Sequence, residues 1–450
     1  MQKRVLEVAG RTQRLLCVLG ASALLVCAGS GAASGSGAVP PEARAHAISA
    51  GGSHTCVLAR RGLLDCWGSN AAGQVGDGTK ADRTLPVVVG VLPGVSAVAA
   101  GGSFTCARTN GGEVECWGEG QSPHVVASGV AAIAAGGAHA CGLTSAGAVE
   151  CWGDNRYGQL GDGTKTRRAS PVAVSGLSGG VIAVTAGGGH TCALTTAGAV
   201  KCWGENDYGQ LGDGTNANRA VPAPVAGLTS GATAIAAGGQ HTCALTRRGA
   251  VRCWGRNLAG QLGDGTTKTR TRPTALSELA RGVAAVAAGR NHTCALMRAG
   301  RVLCWGDNRS GQLGDGKKAD RRLPAKVSRL ARGVAAIAAG GSHTCALMNG
   351  GHVYCMGQNG HGQLGDGTKK QRRTRVAVVG FGAVICTVPA VLGKTFTAAK
   401  TAMVRAHCRV GTLRRVASRK KRDIVLAVTP RPGTRLLKGA RVGLTVSRGH

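Results

Sequence analysis

The stretch Ala186-Gly-Gly-Gly-His-Thr-Cys-Ala-Leu194, followed by Val200-Lys-Cys-Trp-Gly204, decides the fold because close copies of it recur along the chain. Seven copies fill roughly residues 47–382. Their first cysteines, at spacings of 50, 35, 51, 51, 51 and 51 residues, are Cys56, Cys106, Cys141, Cys192, Cys243, Cys294 and Cys345. Repeats of this length predict an all-β fold, a β-propeller of seven blades.

One repeat, residues 182–226, contains the four strands that a blade needs. Residues 182–184, 191–195 and 200–203 are predicted strands, and the glycine-containing segment between the last two is a short hairpin loop. Residues 222–225 are predicted to form an edge strand, where proline is tolerated.

The two cysteines of each repeat are expected to face each other across that hairpin. Opposed residue numbers sum to 394, so Cys192 faces Cys202, with Cα atoms about 4.5–5.5 Å apart, a separation that a disulfide accepts. The same ten-residue offset predicts six more pairs: Cys56–Cys66, Cys106–Cys116, Cys141–Cys151, Cys243–Cys253, Cys294–Cys304 and Cys345–Cys355. Free buried thiols and a zinc array are the alternatives, but zinc ligands are usually closer in sequence. Each disulfide should contribute about 2–3 kcal/mol.

Residues 1–38 have the layout of a secretory signal peptide, and residues 39–46 read as a linker. Basic residues precede an apolar run over 15–29, and small residues follow it. The run is shorter than the roughly 20 residues that span a bilayer, which predicts cleavage rather than a transmembrane anchor. Cleavage removes Cys17 and Cys27 and leaves 16 of the 18 cysteines, the even number that full pairing requires. The mature chain is expected to be secreted or cell-wall associated.

Composition narrows the function further. A hydrophobic content of 43% excludes wholesale disorder, and the 75 glycines belong in turns because there is no collagen-like triplet pattern. The net charge of +34 favours anionic partners.

The segment Trp152-Gly-Asp-Asn-Arg-Tyr-Gly-Gln-Leu-Gly-Asp-Gly163 resembles the repeat signature of the regulator-of-chromosome-condensation family, whose members form seven-bladed propellers. Repeat two departs from the signature because it lacks the Gly-Gln-Leu-Gly-Asp-Gly loop, and repeat seven has Met356 in place of the tryptophan. A strand over 375–379 is expected to close the ring by pairing with blade one. The founding members are exchange factors for a small GTPase, whereas secreted relatives, which resemble this chain more closely, bind other proteins through loops on one face.

Three further residue types recur once per repeat, and each has a structural and a functional interpretation. The histidines, for which Phe104 substitutes in repeat two, are expected to bond turn backbone rather than a metal; they are His54, His139, His190, His241, His292 and His343. The tryptophans are expected to pack between blades rather than stack on glycans; they are Trp67, Trp117, Trp152, Trp203, Trp254 and Trp305. The aspartates are expected to form turns rather than bind calcium; they are Asp77, Asp162, Asp213, Asp264, Asp315 and Asp366. No nucleophile or acid–base constellation stands apart from the repeat, so we expect no enzyme and no cofactor.

Residues 386–450 form a separate, basic domain with 15 Lys or Arg residues against the single acidic residue Asp423. A strand ending near residue 389, a helix over 395–407 and strands over 424–428 and 442–446 predict a small α+β fold.

This domain resembles the PASTA domain of penicillin-binding proteins and receptor kinases through Val388-Pro-Ala-Val-Leu-Gly393, Cys408-Arg-Val-Gly411 and Pro430-Arg-Pro-Gly-Thr434. The resemblance implies peptidoglycan association and an eighth cysteine pair, Cys386–Cys408. The candidate contacts to an anionic wall polymer, which could equally be a solvated loop, are Arg419, Lys420, Lys421 and Arg422. Nucleic acid is not an expected partner because the domain has a single aromatic residue.

Together these features predict an exported, monomeric, non-catalytic binding protein whose propeller binds a protein or wall ligand. The alternatives are an exchange-factor-like regulatory protein, which would need reduced cysteines in the cytosol, and a cell-wall-acting enzyme or enzyme inhibitor.

Overall fold

The structure is a computed structural model, and it describes residues 44–59, 62–90, 93–119, 121–381, 385–406, 408–437 and 441–449. It contains the seven-bladed propeller that the repeats predict, as seven four-stranded antiparallel sheets. The first strand begins at Ala45, two residues before the start expected for the propeller. The predicted signal peptide, and the linker as far as residue 43, lie outside the described residues.

Each blade consists of four strands from one repeat, in sequence order. The first strands are β1 Ala45–Ala50, β5 Val95–Ala100, β9 Val130–Ala135, β13 Val181–Ala186, β17 Ala232–Ala237, β21 Val283–Ala288 and β25 Val334–Ala339. The second strands are β2 His54–Ala59, β6 Phe104–Thr109, β10 His139–Thr144, β14 His190–Thr195, β18 His241–Thr246, β22 His292–Met297 and β26 His343–Met348. The third strands are β3 Leu64–Gly68, β7 Val114–Gly118, β11 Val149–Gly153, β15 Val200–Gly204, β19 Val251–Gly255, β23 Val302–Gly306 and β27 Val353–Gly357. The fourth strands are β4 Arg83–Val88, β8 Gln121–Ala127, β12 Arg168–Ala173, β16 Arg219–Pro224, β20 Arg270–Ala275, β24 Arg321–Lys326 and β28 Arg372–Ala377.

The first strand of every blade is innermost, and its last alanine lines the central channel. The ring closes where β1 packs against β25 and β26, in the same way that neighbouring blades pack elsewhere. The predicted closure by a strand over 375–379 is wrong, because β28 pairs with β27 inside blade seven. Because the chain enters the propeller at the innermost strand of blade one, each repeat supplies all four strands of its own blade. Blade one therefore needs no strand from the end of the last repeat.

A ring of backbone hydrogen bonds also links the blades at one mouth of the channel. The Gly52 N–H donates to the Gly101 carbonyl, and equivalent bonds run from blade to blade until Gly341 returns to Gly51. A Cβ at Gly52 would lie 2.5 Å from the Gly102 carbonyl oxygen. A side chain at Gly52 would therefore require these two backbones to move apart, as they must where Arg290 takes the equivalent position.

The hairpin register is the one that the sequence predicts, with Cys192 opposite Cys202. The Thr195 N–H donates to the Ala199 carbonyl, and counting outward from that hydrogen-bonded pair places the cysteines at a non-hydrogen-bonded position. Their Cα atoms lie 4.1 Å apart, closer than the predicted 4.5–5.5 Å, because non-hydrogen-bonded pairs are the narrow ones and a covalent link draws them together.

The C-terminal domain contains β29 Ile385–Thr387, α1 Phe396–Arg405, β30 Arg409–Val416, β31 Val425–Thr429, β32 Arg435–Leu437 and β33 Arg441–Ser447. The helix begins after Thr395, whose hydroxyl accepts the Ala398 N–H, and it buries Ala399 and Met403. β33 lies between β30 and β31, and β29 pairs with β32. Two of these strands, β30 and β32, were not predicted. No helix in the described part of the chain is long and apolar enough to cross a membrane.

Candidate functional site

The blades are joined by a repeated polar network, which the interface between blades three and four illustrates. The Thr191 hydroxyl donates to the Gln159 carbonyl at 2.8 Å, so His139 Nε2 must be the donor in its 2.8 Å bond to Thr191 Oγ1. The Trp203 indole N–H donates to the same Gln159 carbonyl at 2.9 Å. Leu160, the next residue of the loop, is fully buried against Trp203. A histidine, a threonine, a loop carbonyl and an indole thus join blade three to blade four. Five other interfaces repeat this network, with Met356 in place of the indole between blades six and seven.

The predicted hydrogen bond from each histidine to turn backbone is wrong. The histidine instead bonds the threonine of the next blade, in pairs His54–Thr105, His139–Thr191, His190–Thr242, His241–Thr293, His292–Thr344 and His343–Thr55. Burial lowers the pKa of His190 to about 3 and that of His292 to about 4, so the rings are neutral. The Nδ1 atoms of these rings have no hydrogen-bond partner among the described residues. In the part of the chain that the structure describes, no group of three or more His, Cys, Asp or Glu could hold a metal.

The repeated aspartates tie the outer loops to themselves. The Thr164 hydroxyl donates to Asp162 at 2.8 Å, and Asn155 and Arg168 donate to the same carboxylate. Asn155 Oδ1 accepts the Leu160 N–H, which holds the buried leucine in place. Burial opposes ionisation of Asp162, but these hydrogen bonds outweigh it and keep the pKa below its usual range. The aspartate is therefore a loop-forming residue that also positions the leucine.

The central channel has walls of small apolar residues. Its lining includes Ala50, Ala186, Ala237 and Ile235, and glycines form one mouth, where Arg290 replaces a glycine. This lining brings no carboxylate or nucleophile together, so the described channel offers no group for acid–base or covalent chemistry.

In the structure, disulfides join the seven pairs of propeller cysteines, each buried inside its own blade. Cys408 is disulfide-bonded as well. The side chain of Cys386, its predicted partner, lies outside the described side chains, so that pairing stays a prediction.

The interface between blades two and three lacks most of this network. Here β7 leads to β8 through only residues 119 and 120, so no Gln-Leu-Gly loop is present. Phe104 stands in place of the histidine, and Ala140 in place of the threonine. Three members of the network are therefore absent from a single interface, while the fourth, Trp152, remains.

The loss of the loop leaves a slot, which we call the blade 2–3 slot. It is a cavity of about 170 Å³ lined by Phe104, Trp117 and Trp152, with Glu119, His124 and Arg167 among its polar residues. Trp152 is 7% exposed, whereas the other five tryptophans are 0–1% exposed. Among the described residues, nothing accepts a hydrogen bond from the Trp152 indole. The missing loop is visible in the sequence, but its connection with Phe104 and Ala140 was not predicted.

Two groups of exposed cations lie on the surface of the described chain. The predicted anion contacts, Arg419 to Arg422, are exposed in the loop between β30 and β31. Asp423 is ion-paired with Arg415 at 2.5 Å, and no ion pair involves the four loop cations in the described part of the domain. The second group lies on the hairpins and connections of blades five to seven and contains Arg247, Arg248, Arg281, Arg298, Arg301, Arg329 and Arg332.

Arginines at the outer edge of the blades form ion pairs with nearby carboxylates. Arg168 and Arg321 form ion pairs with the loop aspartates Asp162 and Asp315. Arg167 approaches Glu119 at 3.9 Å beside the blade 2–3 slot.

Comparison with known proteins agrees with this architecture. The ultraviolet-B receptor UVR8 of Arabidopsis thaliana is 37% identical over 215 residues, which are 47% of this chain and 49% of UVR8. The probable E3 ubiquitin-protein ligase HERC4 of Homo sapiens is 36% identical over 205 residues, which are 44% of this chain and 19% of HERC4. The chain thus spans about half of UVR8 and about a fifth of HERC4.

Solved structures share the fold. Prp20p from Saccharomyces cerevisiae, described with its binding properties to Gsp1p and histones, has a TM-score of 0.60 at 24% identity, over 66% of this chain and 80% of its own. Yeast RCC1 (Prp20) bound to Kap60 gives a TM-score of 0.64 at 20% identity, over 84% of this chain and 91% of that chain. At these identities the likeness shows the fold alone.

Family models cover both parts of the chain. The model of the RCC1-like domain matches residues 32–280 and 124–409, and that of the PASTA domain matches residues 387–448. These two domain types support a binding or regulatory protein. The matched ranges include the whole propeller, and the chain therefore belongs to the RCC1-like domain family, with a PASTA domain after its propeller.

Proposed function

We propose that this chain is an exported, non-catalytic binding protein whose PASTA domain associates with the cell wall and whose propeller binds a protein partner. The observation that carries the proposal is the exposed loop Arg419 to Arg422, which bears four cations in a domain whose only acidic residue is already paired. Uncompensated cations attract anionic polymers such as those of a bacterial wall. The PASTA family match supports the same ligand class.

Export accounts for the cysteines. Signal-peptide cleavage after the apolar run at 15–29 would leave 16 cysteines, and eight disulfides would then pair all of them in an oxidising compartment. Protein binding by the propeller is in line with yeast Prp20, whose partners include Gsp1p, histones and Kap60, although a partner of this chain would be found outside the cell.

The test of wall association is co-sedimentation of the full-length protein with isolated cell-wall sacculi across a salt series. A variant with Arg419, Lys420, Lys421 and Arg422 changed to Gln loses four charges from the PASTA loop. A matched control loses four charges from the propeller through R247Q, R248Q, R298Q and R332Q. We expect at least a tenfold drop in wall affinity for the PASTA variant and less than a threefold change for the control. Equal losses in both variants would mean that net charge alone drives binding, and the proposed anchor would be wrong.

The test of export is a mass-spectrometric count of free thiols in the protein isolated from cells, alkylated in denaturant before any reduction so that buried thiols also react. We expect none in the mature chain. Fourteen free thiols in the propeller would exclude export to an oxidising compartment and favour the alternative of a cytosolic exchange-factor-like regulator.

A further inference from the structure

The six other interfaces of the propeller show what the blade 2–3 slot is shaped to hold. In each of them a loop of the preceding blade inserts a carbonyl, then an aliphatic side chain, then a glycine. The carbonyls belong to Gln74, Gln159, Gln210, Gln261, Gln312 and Gln363, and the side chains to Val75, Leu160, Leu211, Leu262, Leu313 and Leu364.

The interface between blades four and five shows why each residue of this three-residue segment fits against the tryptophan. The Gln210 carbonyl accepts the Trp254 indole N–H at 2.9 Å. Leu211 is fully buried in the same cluster as Trp254. Gly212 has a φ of 73°, and a Cβ there would lie 2.6 Å from Trp254 Nε1. A carbonyl, an aliphatic group and a residue without a side chain are therefore the features that fit against the tryptophan.

The blade 2–3 slot keeps the tryptophan that receives such a segment and lacks the segment. Trp152 presents an indole N–H with no partner among the described residues, and the cavity of about 170 Å³ beside it is similar in size to the apolar cavities of about 150 Å³ that accept benzene. Phe104 and Ala140 line it where the other interfaces have polar residues, so the interior favours an aliphatic group. Glu119 and Arg167 are polar residues of the same cavity.

We propose that the blade 2–3 slot is a peptide-binding site that takes, from a partner protein, an exposed loop of the form carbonyl–leucine–glycine. The partner's carbonyl accepts the Trp152 indole N–H, its leucine fills the cavity, and its glycine allows the backbone to pass the indole. This deepens the proposed function, because it names what the propeller binds. Failure of the two can be told apart, since sedimentation with cell walls depends on the PASTA domain.

The experiment titrates the full-length protein with the acetylated and amidated peptide Gly-Gln-Leu-Gly-Asp-Gly, the sequence of residues 209–214, and records the indole N–H signals by two-dimensional NMR. We expect one of the six indole signals, that of Trp152, to shift saturably. The same peptide with Ala in place of Leu should bind at least tenfold more weakly. No saturable shift, or equal binding of both peptides, would overturn the proposal.

Two variants distinguish peptide binding at the blade 2–3 slot from general effects of losing a tryptophan. W152F removes the donor and keeps a ring, and it should lower peptide affinity at least tenfold. The matched control W203F makes the same change where the protein's own loop fills the slot, and it should leave the affinity within twofold. Loss of binding in both variants would contradict a specific site.

Grafting the standard loop into blade two tests the peptide-binding proposal without removing a side chain. Replacing Gly120 with a copy of residues 155–167, together with F104H in blade two and A140T in blade three, restores the standard loop and its partners at this interface. We expect peptide binding to disappear and the Trp152 indole N–H to become protected from solvent exchange. If that N–H is already as protected as the other five in the unmodified protein, the slot is filled by the protein itself and the proposal fails.

Discussion

Blades three and four meet through the same arrangement of strands as blades two and three. The side chains at the two interfaces differ. The first is sealed by His139, Thr191 and the loop carbonyl of Gln159, and it leaves Trp203 fully buried. The second has Phe104 and Ala140 in the corresponding positions and leaves Trp152 7% exposed, against 0% for Trp203. The difference teaches that histidine, threonine and loop act as one unit, because the interface that loses the loop also loses both side chains that bond around it.

The largest effect should come from acid, which acts on all six histidine-sealed interfaces together. The pKa of His190 in the folded protein is about 3, below its ordinary value of 6.5, so the unfolded chain binds protons first as the pH falls. Stability should therefore be full above pH 6.5 and decline towards pH 4, by about 2 kcal/mol per histidine at pH 5. Urea unfolding at pH 7.5, 6 and 5 measures this.

The blade 2–3 interface provides the control for the acid effect. The double variant H190F and T242A copies Phe104 and Ala140 into the interface between blades four and five, and it removes one histidine from the total. Its stability should fall less steeply with pH than that of the parent, by about one sixth. An unchanged free energy of unfolding between pH 7.5 and 5 would show that the histidines are not held neutral by burial.

The next largest loss of stability should come from truncating the aliphatic side chain of a filled slot, and the same change at the open blade 2–3 slot is the comparison. L211A removes a fully buried side chain and leaves a cavity, which should cost about 3 kcal/mol. V126A changes a partly buried residue that lines the blade 2–3 slot, and it should cost less than about 1 kcal/mol because solvent already reaches the site. Denaturant midpoints of the two variants give the comparison. Equal losses would mean that the slot is packed like the others.

How far the sequence predicts these features depends on how local they are. The seven blades and the facing cysteines could be predicted because ten-residue hairpin spacing fixes the partner of Cys192 within one repeat. The partner of His139 could not, since Thr191 lies 52 residues away in the next blade. The signal was present, however: Phe104, Ala140 and the missing loop fall in adjacent repeats. In the PASTA domain, β30 was missed because most of its residues are exposed and show no apolar alternation.

A smaller loss of stability is expected when the threonine of the network is replaced. T191A copies Ala140 into a sealed interface and leaves the His139 Nε2–H without its acceptor, which should cost about 2 kcal/mol. The reverse change, A140T, adds a hydroxyl where neither a histidine nor a loop carbonyl can bond it. It should change stability by less than about 0.5 kcal/mol. A gain of more than 1 kcal/mol for A140T alone would show that the three residues do not act as a unit.

The smallest expected loss of stability comes from removing an ion pair at the outer edge of a sealed interface or of the open blade 2–3 interface. Arg219 donates to Asp213 at 3.0 Å, and this carboxylate is 8% exposed, so R219Q should cost about 1 kcal/mol or less after solvent screening. Arg167 lies 3.9 Å from Glu119, and both side chains are more than a third exposed, so R167Q should cost nothing measurable in thermal unfolding. A loss in R167Q that equals or exceeds the loss in R219Q would mean that the Glu119–Arg167 pair holds the open interface together. The pair would then be a substitute for the missing loop rather than a group left free at the edge of a binding slot.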